Sequence, residues 1–461
     1  MVLNFADRES ELRALEGWVH SPKFEFLVIF GRRRVGKTYL LKRLLERQGG
    51  LYFLCDRGGT ERNAARFRED VAALLGEPPI ASHDFAVILR NLAKKHRNSL
   101  VVVIDEFSYL VEKDDAVPSI FQRIVDEVLP DSRIKLILCG SSVGMMEREV
   151  LGARSPLYGR STGHLRIHPM DFQSIGLFFP RNTLAENMRF YAILGGVPHH
   201  LARFRDGTGA LENVRREIFS RSGGLYEEVD FLLREEFREP DFYKAILSPI
   251  AKGKARLVDI ANTVGIPAHD MPKYLRMLAS LGLVRKDYQV TDRQQRKPRY
   301  RVADNFFSFW FTFCEPFKSD LEIEHLDRPM EVLRQDFDAF VGRRFEEVVR
   351  EQFLPALLEG RYRRLGPYWG EDAEIDAVAE GGRGEPTTFV EVKWGDRVDG
   401  MSERARLMEK AESFPGKTIT SRFIIVARRF REKGADCIDL DDMLRLFRER
   451  NPGARASDTS R

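Results

Sequence analysis

Short apolar runs alternate with amphipathic stretches along the first 170 positions of the chain. Five runs are rich in Val, Ile, Leu and Phe without polar alternation, which predicts strands buried on both faces. These predicted strands are Glu25–Phe30, Leu51–Leu54, Leu100–Asp105, Ile134–Cys139 and His164–His168. Stretches with helical spacing, such as Lys37–Gln48 and Ser119–Val128, lie between them. This alternation predicts an α/β fold with a parallel sheet covered by helices.

The pattern changes after this sheet, and further blocks follow. The predicted blocks are 1–170 (sheet and helices), 171–239 (helices), 240–305 (three short helices and a hairpin), 306–335 (linker helices), 336–450 (an amphipathic helix and then strands) and a small, polar, disordered tail at 451–461. In the block 336–450 we predict strands at Ala373–Ala379 and Thr388–Val392. The chain therefore has several domains rather than one.

Composition limits the class of protein. A chain of 461 residues is too long for one ordinary core, and 43% hydrophobic with 31% charged residues is typical of a soluble globular protein. The net charge of +4 does not by itself indicate a nucleic-acid-binding protein, although basic residues are bunched locally. Four widely spaced cysteines without a CxxC pair argue against a zinc site and a disulfide framework. No apolar run approaches the ~20 residues that span a bilayer, and the first residues lack a signal-peptide pattern, so we expect a cytoplasmic protein without a membrane partner.

A glycine-rich string follows the first predicted strand and opens a predicted helix. It reads Gly31-Arg32-Arg33-Arg34-Val35-Gly36-Lys37-Thr38-Tyr39. In that context the pattern is a P-loop, whose backbone N–H groups surround phosphates at the positive end of a helix. We expect this string to bind a nucleoside triphosphate, with Lys37 on the β- and γ-phosphates and Thr38 on Mg²⁺. ATP and Mg²⁺ are therefore the predicted cofactors.

A second motif ends the third predicted strand in the acidic pair Asp105-Glu106. Parallel strands bring their carboxyl ends to one edge of the sheet, which places this pair beside the P-loop. We expect Asp105 to hold Mg²⁺ and Glu106 to orient and deprotonate the attacking water. Ser141, after the fourth strand, either senses the γ-phosphate or lies in a solvent-facing turn. Arg160 is either an arginine finger or an ordinary surface arginine.

The block from Tyr243 to Val302 has the helix, helix, turn, helix, hairpin order of a winged helix. We predict a recognition helix from His269 to Gly282. Its basic wing would carry Arg293, Arg296, Lys297 and Arg299 at the tip. Such a wing suits DNA phosphates, but a winged helix also serves as an internal packing module, so both readings stay open.

Acidic and basic side chains converge on two strands of the last long block. Asp376 lies in the first strand, and Glu391 and Lys393 lie in the second. Residues two apart in a strand share a face, so Glu391 and Lys393 point together, and Glu346 can join them from a helix. Carboxylates that hold a metal ion and water beside a lysine suit Mg²⁺-dependent phosphodiester cleavage. We predict catalytic roles for Asp376, Glu391 and Lys393, and metal ligation by the three carboxylates.

These motifs make the chain resemble the prokaryotic STAND/AAA-like P-loop ATPases that carry a C-terminal DUF234 domain. The resemblance covers nearly the whole chain and rests on the P-loop, the Asp105-Glu106 strand, Asn4-Phe5-Ala6-Asp7-Arg8-x-x-Glu11-Leu12, Leu157-Tyr158-Gly159-Arg160 and Gly196-Val197-Pro198. It implies that Phe5 to Arg8 border the adenine and that Pro198 contacts it from a helical lid. The last block is similar to the PD-(D/E)xK nucleases, although Glu-Ile precedes Asp376 where the name of that superfamily has proline.

We therefore expect a P-loop NTPase sheet with a helical lid, then a winged helix, then a small α/β nuclease-like domain. The predicted function is an ATP-hydrolysing protein that acts on DNA as an ATP-regulated, Mg²⁺-dependent nuclease. One alternative is a regulatory ATPase switch whose last domain is an inactive interaction module. Another is a structural DNA-binding scaffold. ATP and DNA are the expected partners, and a homo-oligomer or a protein partner stays open.

Overall fold

The computed structural model describes residues 7–371, 373–382, 384–415 and 421–450. The chain divides into two units, Met1–Pro169 and Met170–Arg461. The predictions for Phe5 and for the tail 451–461 lie outside the described residues.

Five parallel strands form the sheet of the first unit. They are β1 (Glu25–Phe30), β2 (Leu51–Leu54), β3 (Leu100–Asp105), β4 (Ile134–Gly140) and β5 (Gly163–Arg166), in the order β2-β3-β4-β1-β5. Every residue of β1, β3 and β4 is buried, as their unbroken apolar runs predicted. The parallel α/β fold predicted for this part of the chain is confirmed.

Helices connect and cover these strands. They are α1 (Glu9–Val19), α2 (Lys37–Gln48), α3 (Thr60–Leu75), α4 (Phe85–Lys95), α5 (Ser108–Lys113), α6 (Val117–Arg123) and α7 (Val143–Met145), with π-helical turns at Ile124–Val128 and Met146–Val150. Leu12 and Leu41, from α1 and α2, pack on Ile29, Val103 and Ile137 of the sheet. Because the strands are parallel, the residues that follow β1, β3 and β4 meet at one edge.

The second unit begins with helices and a small hairpin. Its helices are α8 (Ile175–Phe178), α9 (Leu184–Leu194), α10 (Pro198–Leu201), α11 (Ala210–Val214), α12 (Glu228–Glu236), α13 (Pro240–Ala251), α14 (Leu257–Val264) and α15 (Met271–Ser280), and the antiparallel hairpin is β6 (Val284–Asp287) with β7 (Arg299–Val302). A 3-10 turn at Phe172–Ser174 and a π-helical turn at Arg215–Phe219 complete this part. Three helices followed by a hairpin is the order that the sequence predicted for residues 240–305.

Long helices lead from the hairpin to a second sheet. They are α16 (Asn305–Phe313), α17 (Lys318–Glu322), α18 (Asp327–Val348) and α19 (Leu354–Leu358), with a 3-10 turn at Glu315–Phe317 and a π-helical turn at Val349–Phe353. The strands and helices that follow are β8 (Tyr362–Trp369), β9 (Glu374–Gly381), β10 (Thr387–Lys393), β11 (Val398–Asp399), α20 (Gly400–Glu412), β12 (Ser421–Ala427), β13 (Phe430–Glu432), β14 (Cys437–Asp439) and α21 (Leu440–Arg450). The sheet has the order β14-β12-β10-β9-β8, with β14, β12 and β10 parallel and β9 and β8 antiparallel to their neighbours.

The hairpin β6–β7 packs on this second sheet. Val290, in the loop of the hairpin, is 4% exposed and belongs to the same apolar cluster as Tyr368 and Ile375. Its backbone N–H donates to Pro367 O at 2.9 Å. A Cβ at Gly366 would lie 3.2 Å from the backbone oxygen of Tyr288, so the hairpin approaches β8 at glycine. The hairpin is therefore part of the C-terminal core.

None of the helices in the described parts of the chain is both long and apolar enough to cross a membrane.

Candidate nucleotide site and acidic cluster

The P-loop joins the end of β1 to the start of α2. The ammonium of Lys37 is buried and donates to Gly31 O and Arg32 O, both at 2.8 Å. Gly36 has φ +96°, a left-handed backbone that glycine adopts without strain. Among the described residues no side chain caps the N-terminus of α2, so the N–H groups of its first turn are open to an anion. The predicted strand, loop and helix thus combine as a phosphate site requires.

Arg8 supports this loop from the start of the unit. Its guanidinium donates to Val35 O at 2.9 Å and to His168 O at 2.7 Å, and only 6% of the residue is exposed. Arg33 of the loop donates to the Tyr109 hydroxyl at 3.0 Å. Arg57 lies 5.0 Å from the centre of the same ring. The P-loop is therefore held on one side by Arg8, which also binds His168 after β5, and on the other side by Tyr109, which follows β3.

Asp105 lies fully buried at the end of β3, beside the P-loop. Its Oδ2 accepts from the Thr38 hydroxyl at 2.8 Å and from the Tyr52 hydroxyl at 2.7 Å. Burial and the charge of Asp105 raise the pKa of Tyr52, so this phenol stays protonated and donates. A hydroxyl and a carboxylate are oxygen ligands of the kind that Mg²⁺ prefers, so this pair fits the ion. Sequence reasoning missed Tyr52.

Glu106 has an unusual backbone and an unusual environment. Its φ is +54°, in the left-handed region, which costs about 1–3 kcal/mol for a residue with a side chain. Its Oε1 accepts from the Ser141 hydroxyl at 2.5 Å. Its Oε2 is buried and accepts no hydrogen bond from the residues that the structure describes. Ser141 is therefore a buried member of this group and does not lie in a solvent-facing turn.

Arg160 lies at the other edge of the sheet. It pairs with Asp126 at 2.9 Å, and Thr162, two residues further on, donates its N–H to Phe26 O at the start of β1. The P-loop follows Phe30 at the end of that strand, about 13 Å away at ~3.3 Å per residue. Arg160 therefore does not join the P-loop residues of its own unit, and its contacts are those of a surface arginine.

Pro198 is the first residue of α10, in the second unit. Its contact with adenine stays a prediction from the resemblance.

A second group of charged side chains lies on β9 and β10. Val390 pairs with Ala377, so Glu391 lies beside Asp376 on the neighbouring strand. Asp376 Oδ2 accepts from Val392 N at 2.7 Å, and Lys393 Nζ donates to Glu391 Oε1 at 2.7 Å. We call Glu346, Asp376, Glu391 and Lys393 the acidic cluster.

A second lysine, which sequence reasoning missed, reaches this cluster. Lys410 on α20 donates to the same Glu391 Oε1, also at 2.7 Å. Glu391 is 3% exposed, and its Oε2 is buried without a hydrogen-bond partner among the residues described. Two ammonium groups thus donate to one oxygen of this carboxylate, and the other oxygen, Oε2, stays available to bind a cation.

Burial and mutual repulsion shift the acids of the cluster. Burial and the charge of Asp376 raise the pKa of Glu346 to about 8. Burial and the charge of Glu391 raise the pKa of Asp376 to about 6. Within the described ranges no three acidic, His or Cys side chains converge closely enough to surround a metal ion. The oxygen-only ligands and the unpaired Oε2 fit a divalent cation, but the carboxylates would have to draw together around it.

The basic residues of the hairpin divide into two sets. Arg293, Arg296 and Lys297 are exposed at the tip. Arg299 instead lies over the Trp369 ring, 4.2 Å from its centre, and 3.4 Å from Glu374. The prediction that Arg299 belongs to the exposed tip is therefore wrong, because this side chain fastens the hairpin to the second sheet.

Arg301, also on β7, is committed to the interior. It pairs with Asp287 at 2.7 Å and Glu347 at 2.9 Å, and also with Glu351. Part of the positive charge of the hairpin therefore serves internal ion pairs and is not available to bind DNA.

Two parts of the chain match known families. Residues 5–204 match a family described as an ATPase domain predominantly from Archaea, and residues 310–406 match a family of archaeal and bacterial proteins of unknown function, DUF234. The Walker-type ATPase of Pyrococcus abyssi is similar over 67% of this chain and 96% of its own length, with 22% identity and a TM-score of 0.51, which shows a shared fold.

Sequence relatives of the chain occur in Methanocaldococcus jannaschii. An uncharacterized ATP-binding protein is 42% identical over 45 residues, or 10% of this chain and 76% of that protein. An uncharacterized protein is 34% identical over 451 residues, or 95% of this chain and 99% of that protein. The chain therefore belongs to a family of P-loop ATPases in which an archaeal-type ATPase domain is joined to a C-terminal DUF234 domain.

Proposed function

We propose that the first unit binds ATP with Mg²⁺ and hydrolyses it. The observation that carries this proposal is the meeting of Lys37, Thr38, Asp105 and Glu106 at one edge of the sheet. Lys37 provides a point charge for the β- and γ-phosphates, and the open N-terminus of α2 provides N–H donors. Thr38 and Asp105 would hold Mg²⁺, which supplies charge neutralisation at the phosphates when bound.

Glu106 is the proposed general base. Its buried Oε2 has no partner within the described chain, so it is available to accept a proton from water. Ser141 holds the other oxygen and fixes the direction of the carboxylate. We expect Lys37→Ala to abolish nucleotide binding, whereas Glu106→Gln keeps binding and lowers hydrolysis by about 10²–10⁴-fold. Equal hydrolysis by the wild type and Glu106→Gln would refute the role of Glu106.

We also propose that the second unit cleaves DNA with a divalent cation at the acidic cluster. Three carboxylates lie near a lysine on adjacent strands and a helix, and two of them have raised pKa values. Glu346, Asp376 and Glu391 would hold the ion, which supplies a Lewis acid and an activated water when bound. Lys393 would stabilise the charge that develops on the phosphate. Helices α13 to α15 and the hairpin would act as a winged helix that binds the duplex.

The matching experiment incubates purified protein with plasmid DNA and Mg²⁺ or Mn²⁺, with and without ATP. Lys393→Ala and Asp376→Ala should each abolish cleavage without unfolding the protein. Activity that survives both substitutions would identify a contaminant.

An inactive interaction module is the second candidate for this unit. Lys393 and Lys410 already neutralise Glu391 without a metal ion, which favours it. The absence of cleavage of single-stranded, duplex and branched nucleic acids would decide for this candidate.

A further inference from the structure

The hairpin β6–β7 and the acidic cluster lie at the same end of β9. Arg299 of the hairpin lies 3.4 Å from the carboxylate of Glu374, and Asp376 is two residues further along the strand. Positions two apart in a strand are at most about 6.7 Å from one another, so Arg299 lies at the end of β9 that carries Asp376. The hairpin therefore lies beside the end of the sheet that carries the carboxylates of the cluster.

The hairpin is also fixed in this place. The Trp369 ring lies under the guanidinium of Arg299, and Val290 is buried in the core of the sheet. Arg296, at the tip, is three residues from Arg299, which is at most about 10 Å of extended chain. The exposed basic tip thus lies a short length of chain away from the end of β9 that carries Asp376.

A second basic group lies on the opposite side of the cluster. Arg429 follows β12 and donates its backbone N–H to Gly395 O, just beyond Lys393, at 3.0 Å. Arg397 and Arg429 are both exposed, and neither forms an ion pair with any residue that the structure describes. From β8 to β12 there are three strand spacings, or about 14–15 Å. The acidic cluster on β9 and β10 therefore lies between two basic groups.

We infer that the hairpin tip and the pair Arg397 and Arg429 form one duplex-binding face, and that DNA held by both groups crosses the acidic cluster. This inference rests on the nuclease function proposed above and names the surface that presents the substrate to it. Basic groups on both sides bind phosphates, whereas the carboxylates between them repel phosphate until a divalent cation neutralises them. Three helices followed by a basic hairpin favour a duplex over a single strand as the ligand.

Cleavage by a tethered iron chelate tests this face without the nuclease activity of the chain. The four native cysteines are buried, so a thiol-directed chelate attaches to an introduced, exposed cysteine. Arg296→Cys places the chelate at the hairpin tip and Glu374→Cys places it beside the cluster. Arg361→Cys, just before the far end of β8, is the matched control. All three are made in the full chain with Lys393→Ala and tested on end-labelled duplex DNA.

We expect radical cuts from positions 296 and 374 on the same duplex, within about one helical turn of each other, or ~10 base pairs. Position 361 should cut at least fivefold more weakly. Cuts from only one of positions 296 and 374, from neither, or equally from 361 would overturn the shared face. The wild-type plasmid assay is read separately, so a missing nuclease activity is distinguishable from a wrong surface.

As a second measurement, replacing Arg397 and Arg429 by Ser should flatten the slope of log K against log salt by up to about 1.8, at roughly 0.9 per lost phosphate contact. Replacing Arg361 alone should leave the slope unchanged. An unchanged slope in the double variant would remove these two residues from the face.

Discussion

Tyr52→Phe tests whether the phenol beside the P-loop positions the carboxylate that would hold Mg²⁺. The substitution removes one hydroxyl that donates to Asp105 at 2.7 Å and leaves the ring in place. A hydrogen bond to a charged acceptor contributes about 1.5–3 kcal/mol, which corresponds to roughly 10–150-fold in an equilibrium constant. Tyr52 is only partly buried, so water can replace part of this bond and we expect the lower end, about tenfold.

The assay is steady-state ATP hydrolysis as a function of Mg²⁺ concentration, together with nucleotide binding in EDTA. We expect the half-saturating Mg²⁺ concentration to rise about tenfold, whereas ATP binding in EDTA stays unchanged, because the proposed phosphate donors, Lys37 and the N–H groups at the start of α2, remain in place when the hydroxyl is removed. Tyr158→Phe, on a tyrosine that is 55% exposed, is the matched control. An unchanged Mg²⁺ dependence, or an equal loss of binding in EDTA, would refute this role.

Three other substitutions test the second unit. Lys410→Ala removes one of the two ammonium groups that pair with Glu391, so Mn²⁺ should bind several-fold more tightly when measured by calorimetry. Lys254→Ala, at an exposed lysine, is the control. Unchanged or weaker Mn²⁺ binding would contradict the idea that Lys410 competes with the metal ion for Glu391. Burial raises the pKa of Glu346 from 4.5 to about 8, so the wild type loses stability as the pH rises between those values. Glu346→Gln should therefore raise the melting temperature at pH 8.5 and not at pH 5. Equal melting temperatures of the wild type and the variant at pH 8.5 would disprove the shift. Arg301→Met removes a counter-charge shared by Asp287, Glu347 and Glu351, although Glu347 keeps Arg344 and Glu351 keeps Arg285. Because two of the carboxylates keep a partner, we expect the lower end of the cost of breaking a buried pair, about 3 kcal/mol by denaturant titration, against roughly 0.5 or less for Arg293→Met. Similar values for both would show that this charge network is weak.

The first sheet was predictable because its central strands are buried on both faces. Such strands are continuous apolar runs, and the glycines and lysine after β1 mark the start of α2 at Lys37. Strand β8 was missed for the opposite reason. It lies at the edge of its sheet, begins among arginines and contains Gly366 and Pro367, so it has no apolar run. Strand β8 forms because it pairs with β9, and the local sequence pattern does not predict that pairing.

The candidate sites divide in the same way. Lys37, Asp105 and Glu391 belong to local motifs, and the sequence predicted them. Tyr52 and Lys410 reach their partners across 53 and 19 positions of the chain, with no motif that links them. The sequence was sufficient to predict the edge of the sheet at which Arg160 lies. Arg160 precedes β5, whereas the P-loop follows β1, and parallel strands place those two positions at opposite edges.

The burial of Val290 in the second sheet has a practical consequence for protein production. A fragment restricted to residues 310–406, the span of the DUF234 match, would lack this side chain and would also end before β12 and β14. Its sheet would expose apolar surface around Tyr368 and Ile375 and an unpaired edge at β10, both of which promote aggregation. A fragment that begins at Met170 and extends to residue 450 keeps the hairpin and all five strands of that sheet together, and it also keeps α9, which packs on α16 and α18. We expect that longer fragment to stay folded and free of aggregation in purification, whereas the fragment 310–406 aggregates.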